Sequence, residues 1–230
     1  MNPDYAEAYM NRGFAYYNRG LATGDQSQFI PAVMDFRTVT TLKPGSYSAY
    51  LAQAAIYIHQ EEYDKGIGEV NKAIALNPDE GLAYGLRGFI YMQEKYKDFD
   101  KAVEDFSRVI ARGGPWSVMA YSNRGFVLLD DKQYDRAIED FNKAIEMGPR
   151  NAQAYLGRGV ALAFKSQFSQ AIGDINRGIE LNPKLPAAYN IRGIVYAQIG
   201  NPRAIADFQK ACDMGFEQGC SNWQRSLKDR

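Results

Sequence analysis

The sequence predicts an all-α solenoid: a stack of helical hairpins made from one repeated unit. Three observations predict it. A tyrosine stands three residues ahead of an Arg-Gly pair at Tyr9, Tyr84, Tyr121, Tyr155 and Tyr189, and Tyr50 keeps that phase with Gln53-Ala54 instead. The steps from Tyr50 to Tyr84, from Tyr121 to Tyr155 and from Tyr155 to Tyr189 are each 34 residues. Units also end alike, with an apolar residue two positions before a proline at Leu42-Lys43-Pro44, Leu76-Asn77-Pro78, Met147-Gly148-Pro149 and Leu181-Asn182-Pro183. Proline cannot extend a helix and drives the residue before it out of helical geometry, so each marks a break.

Six units follow from these marks, at about 6–46, 47–80, 81–117, 118–151, 152–185 and 186–215, within a single array over 1–230. In the first unit an insertion around Leu21 to Ser27 predicts a longer loop between its two helices. The third closes on Arg112-Gly113-Gly114-Pro115, and the sixth lacks a terminal proline. Within units, Tyr134, Ala137, Phe141 and Ala144 recur in spacing as Phe168, Ala171, Ile175 and Gly178. Offsets of three, four and three trace one helical face, so each unit reads as helix, turn, helix.

Small residues recur on both helices. Gly13, Ala54, Gly88, Gly125, Gly159 and Gly193 lie on the first helix, facing Ala32, Gly66, Ala102, Ala137, Ala171 and Ala204 on the second. Glycine inside a helix costs roughly 1 kcal/mol relative to alanine, so repeated use implies a close helix approach that outweighs the loss. No such hairpin buries its apolar face alone, and stacking supplies the continuous core.

Composition narrows the function classes. Twenty-seven basic residues balance twenty-seven acidic ones, which leaves no net field to recruit nucleic acid or an anionic membrane. No apolar run approaches the roughly 18 residues of a membrane span, so membrane insertion is not expected. The opening residues lack the basic and apolar regions of a signal peptide. A single histidine, His59, leaves a His-based triad or multi-His metal site incomplete. His59 reads as a surface or groove residue. Gly66-Ile67-Gly68 falls within a helical pattern and fails the strand-then-helix context of a dinucleotide loop. The expectation is a non-catalytic chain with no cofactor and no metal.

A 34-residue unit with aromatic, glycine, alanine and proline residues at these places resembles the tetratricopeptide repeat, over essentially the whole chain. The resemblance implies a right-handed superhelix of six hairpins whose first helices line a concave groove that holds a protein or peptide. Carried onto this chain, the groove-facing places are Phe14, Tyr17, Leu51, Ile58, Phe89, Met92, Phe126, Leu129, Leu156, Val160, Phe164, Asn190 and Ile194. This set is largely apolar and suits an apolar or amphipathic segment, docked as a helix or extended. Tetratricopeptide domains that bind chaperone tails grip a terminal carboxylate with groove lysines. Those places here hold Met10, Leu51, Gly85, Ser122, Leu156 and Asn190, which disfavours that clamp.

One column departs from the family. Arg12, Arg87, Arg124, Arg158 and Arg192 stand where an apolar residue is usual, and the same units carry Asp35, Asp105, Asp140, Asp174 and Asp207 on the second helix. The unit with Gln53 carries Glu69. Each arginine is expected to reach an aspartate, across its hairpin or to the next unit, as a charge-assisted pair.

At the end of the array, Phe216 to Lys228 with Trp223 and Leu227 reads as a capping helix. Ala211-Cys212-Asp213-Met214-Gly215 and Gly219-Cys220 resemble the cysteine-paired Sel-like relatives of this family. That resemblance implies a bridge from the last second helix to the cap; two buried thiols are the alternative. A bridge would argue for an oxidising, extracytoplasmic compartment, free thiols for the cytoplasm. At the other end, Asn2-Pro3-Asp4 has the form of the unit tail Asn77-Pro78-Asp79. The first helix is therefore expected to expose a face that a neighbour would cover. A scaffold that associates with itself through that unit is the alternative to a partner-binding adaptor.

Overall fold

The computed structural model describes residues 3–228, with side chains from Tyr5 to Leu227. The unit-tail comparison at Asn2-Pro3-Asp4 lies outside the described side chains. Among the described residues there are thirteen α-helices and no strand. The chain divides into two compact units, through Trp116 and from Ser117 on.

The first unit holds three hairpins: α1 (Pro3–Thr23) with α2 (Phe29–Leu42), α3 (Tyr47–His59) with α4 (Tyr63–Leu76), and α5 (Gly81–Tyr91) with α6 (Phe99–Arg112). The second holds α7 (Ser117–Asp130) with α8 (Tyr134–Met147), α9 (Ala152–Phe164) with α10 (Phe168–Leu181), α11 (Pro186–Gln198) with α12 (Arg203–Asp213), and then α13 (Glu217–Lys228). Each unit is an all-α repeat stack.

Local chemistry explains where helices start and stop. Asp98 and Asn151 cap α6 and α9, accepting hydrogen bonds from the backbone N–H of Lys101 at 3.1 Å and Ala154 at 3.2 Å. The tight turns inside hairpins pass through a left-handed residue two positions before the second helix: Glu61, Lys97, Lys132 and Ser166 all have positive φ. The insertion of the first hairpin does not form the expected long loop. Leu21, Ala22 and Thr23 continue α1, and a short 3-10 turn at Gln26–Gln28, capped by Asp25, reconnects to α2. A helix extended by three residues satisfies its own backbone, which an open loop would leave to water.

The core lies between the paired helices. Phe36, Phe106, Phe141 and Ile175 are fully buried, each stabilising the fold by roughly 1.5–3 kcal/mol. They project onto the first-helix glycines. A Cβ added at Gly125 would lie 2.8 Å from the Phe141 ring, and one at Gly193 2.6 Å from Phe208, so the close approach requires glycine there. Adjacent hairpins share clusters, such as Val70 and Ala73 of α4 with Leu51 and Ala83, or Ile175 and Ile179 of α10 with Leu156 and Ala188.

Candidate functional site

In the second unit the first helices α9 and α11 leave a crevice of about 160 Å³ between them. Val160, Ala163 and Phe164 line it from α9, and Ile191, Ile194, Val195 and Gln198 from α11. Helical periodicity places these side chains on one face of each helix, one turn apart. The lining is apolar apart from the Gln198 carboxamide. Phe164 is 61% exposed and Ile194 41% exposed, so two large apolar side chains meet solvent together beside the crevice. Phe164 is held in place by stacking on Tyr134, with ring centroids 5.0 Å apart and planes 4° from parallel. Small-molecule pockets run to roughly 300–1,000 Å³. This crevice is smaller and open, sized for a single bulky side chain.

The other expected groove residues divide by burial. In the first unit Phe14 and Phe89 are exposed, and Tyr17, Ile58 and Met92 are half-buried. Phe14 meets Phe36 edge-on at 5.1 Å. In the second, Phe126 and Leu129 are half-buried, Phe126 lying edge-on to Phe141 at 5.0 Å. Leu51, Leu156 and Asn190 do not face an open groove. They are 7%, 3% and 4% exposed. Leu51 packs with Ala54, Val70 and Ala73. Leu156 sinks towards Gly178, where an added Cβ would lie 2.6 Å from it. Asn190 accepts a hydrogen bond from Asn222 of α13 at 2.9 Å. His59 is exposed at the end of α3, edge-on to Phe29 at 4.9 Å. Among the described residues no group of three or more His, Cys, Asp or Glu side chains is placed to hold a metal.

The arginines form a row of their own. Arg12, Arg87, Arg124, Arg158 and Arg192 each grip the aspartate of the same hairpin (Asp35, Asp105, Asp140, Asp174 and Asp207) through two hydrogen bonds of 2.7–2.8 Å. These bonds to aspartate raise the guanidinium pKa values, with burial opposing. Each guanidinium also lies over the tyrosine three residues before it, 5.2–5.7 Å from the ring centroid. A third contact escaped the sequence reading. Arg87, Arg158 and Arg192 donate a further hydrogen bond to Asn71, Asn142 and Asn176 of the preceding hairpin, at 2.6–2.8 Å. Each asparagine sits two residues after the acid of its own hairpin, as in Asp140-Phe141-Asn142 and Asp174-Ile175-Asn176, and that spacing was the available signal. In the hairpin without arginine, Gln53 bonds back to the Ala49 carbonyl and Glu69 pairs with Lys72.

Cys212 of α12 and Cys220 of α13 are joined by a disulfide. Trp223 packs from α13 against Tyr196, Ala204 and Phe208. No helix among the described residues is long and apolar enough to cross a membrane.

Comparison with known proteins agrees with this geometry. The family model described as tetratricopeptide repeat matches residues 118–151. The mitochondrial import receptor subunit TOM70 of Rattus norvegicus is 28% identical over 147 residues, covering 64% of this chain and 24% of the receptor. The chain thus spans about a quarter of the length of the TOM70 relatives it matches. The pilus biogenesis factor PilW superposes with a TM-score of 0.81 at 15% identity, over 99% of this chain and all of that one. YrrB, a tetratricopeptide protein with an unusual peptide-binding site, superposes with a TM-score of 0.62 at 20% identity, over 84% of this chain and 97% of its own. Residues 118–151 match the tetratricopeptide repeat, and the chain built around them has an all-α repeat-solenoid fold.

Proposed function

We propose that this chain is a non-catalytic protein-interaction module whose second unit takes a bulky apolar side chain of a partner segment between α9 and α11. Tetratricopeptide proteins are in general adaptors that bind other proteins. The observation that carries the finer reading is the crevice, with Phe164 and Ile194 left open to solvent around it. Tyr134 covers one face of the Phe164 ring, and the rest of that ring and of Ile194 stays in contact with water. A partner residue would desolvate them, as apolar anchors do at the centre of an interface. Gln198 at the rim offers a carboxamide that can both donate to and accept from a partner's backbone. The peptide-binding site of YrrB belongs to that protein, but it makes a peptide the natural class of ligand to try.

A phage-displayed random peptide library, panned against the chain and against Ile194→Glu and Phe164→Glu variants, tests this. The parent is expected to enrich peptides with a spaced aromatic or aliphatic anchor. Both variants, still helical by circular dichroism, are expected to bind those peptides at least about tenfold more weakly, a loss of about 1.4 kcal/mol. Equal binding by parent and variants would place the site elsewhere.

A further inference from the structure

The crevice of the second unit has a charged neighbour. Phe164, which lines the crevice, stacks on Tyr134 with ring centroids 5.0 Å apart. Tyr134 in turn lines a second hollow, of about 340 Å³, where the α7–α8 turn meets the end of α9. The other walls are Lys132, Gln133, Asp135, Arg136 and Lys165, so three cations stand around one carboxylate. Asp135 is engaged by Lys165. Arg136 donates to the Gln133 carboxamide, and among the described residues no carboxylate pairs with Arg136 or Lys132. Asp131, the acid next to Lys132 in sequence, takes a hydrogen bond from Gln133 instead. The fold does not demand this excess of positive charge. The positive-φ place of Lys132 is taken by Glu61, Lys97 and Ser166 in other hairpins, and the place of Lys165 by Gln60 and Asp131.

We propose that this hollow takes an Asp or Glu side chain of the same partner segment whose apolar side chain enters the α9–α11 crevice. The proposal rests on the crevice reading above and adds the chemistry of the partner to it. Two features carry it: the excess of cations, and the stacked Phe164–Tyr134 pair that joins the apolar opening to the basic one. Extended chain advances roughly 3.3–3.6 Å per residue, so an acid about two to four residues from the anchor reaches across that pair. Lys132 and Arg136 are exposed, and an ion pair made in such a place is weak. The acid therefore changes affinity by only about two- to fivefold, and the apolar anchor supplies the rest. Charge decides which apolar segments are accepted more than how tightly they are held. These cations belong to the α7–α8 turn and the end of α9, outside the groove places of a terminal-carboxylate clamp, so an internal side chain satisfies them.

The test pans a phage-displayed random peptide library against the parent, against Ile194→Glu, and against a charge-reversed double variant, Lys132→Glu with Arg136→Glu, each checked for helicity by circular dichroism. Displayed peptides are joined to the coat protein through their C-terminus, so a selected acid is a side chain. The parent is expected to enrich an apolar anchor with Asp or Glu at a fixed place within about four residues of it. The reversed variant is expected to keep the anchor and to select Lys or Arg at that place. The strongest parent peptide is then made with an amidated C-terminus. Replacing its acid by the amide is expected to weaken binding about two- to fivefold and to remove most of the salt dependence between about 50 and 300 mM. Pools that share the anchor but show no charge preference, or an acid preference that survives the reversal, would overturn the proposal and leave the crevice reading standing. A parent pool with no apolar anchor, or one that Ile194→Glu enriches equally, would overturn both.

Discussion

The guanidinium of Arg158 is shared between Asp174 of its own hairpin and Asn142 of the hairpin before, at 2.7 Å and 2.6 Å. One side chain therefore sets the angle within a hairpin and the register between two. Asp174→Ala leaves a guanidinium half-desolvated beside no anion and is expected to cost roughly 2–3 kcal/mol. Asn142→Ala removes one solvent-exposed hydrogen bond from the guanidinium, worth about 0.5–1.5 kcal/mol. Because both act through Arg158, urea melts of the two singles and the double should show coupling. Strictly additive losses would mean that the shared guanidinium transmits nothing between hairpins.

The helical glycines separate into two kinds with opposite expected outcomes. Gly193→Ala drives a methyl group into the Phe208 ring and the Ala204 carbonyl and is expected to destabilise by about 1–3 kcal/mol. Gly68 and Gly173 sit in α4 and α10 with nothing within 4 Å of an added Cβ. Gly68→Ala and Gly173→Ala are expected to stabilise by up to about 1 kcal/mol through helix propensity alone. Thermal melts of the three single variants check the signs.

Much of this architecture could be read from the sequence because each feature came in four to six copies. A tyrosine, a glycine and a proline that recur in one phase cannot all be accidental, and the arginine and aspartate columns stood out against the same frame. What was not legible depends on the size of a neighbour. Leu156 looked like a groove residue by position, yet Gly178 opposite it leaves room for the side chain to sink inward. Asn190 turns to the capping helix because Asn222 is there to meet it. The asparagines that hold the next arginine were missed for a different reason. They carry no charge, and a search for ion pairs passes over a carboxamide two residues from the acid.

Tyr47 gives the stack a dependence on alkaline pH. Its hydroxyl is buried, and burial, aided by the charge of Glu80 and opposed by the Ala83 backbone amide, pushes its pKa up to about 12. In the unfolded chain a tyrosine ionises near 10. The folded state holds the proton more tightly, so this contribution is complete below about pH 10 and is lost as pH rises through about 12. Tyr17, also raised by burial, acts in the same direction. Tyr47→Phe is expected to flatten the fall of the unfolding free energy between about pH 10 and 12. An unchanged slope in denaturant melts across that window would show that the hydroxyl titrates normally.

The Cys212–Cys220 disulfide makes the capping helix a separable element. Apart from it, α13 is held mainly by Trp223 on Tyr196 and Phe208 and by the Asn222–Asn190 bond. Apart from Gly219, which is buried against Ala211, its remaining surface is polar or exposed, and Leu227 is half in solvent. A helix of twelve residues is marginal by itself. Closing so short a loop constrains the open state by about 2–3 kcal/mol, enough to shift α13 from docked to frequently undocked once the bridge is cut. In a Trp116→Phe background, where Trp223 is the only reporter, a dithiol reductant is therefore expected to red-shift the fluorescence and speed α13 amide exchange. Exchange in α9 and α10 should stay as it was. Cys212→Ala with Cys220→Ala should reproduce the reduced state without reductant, and a cap that stays protected in that double variant would show that Trp223 and Asn222 suffice to hold it.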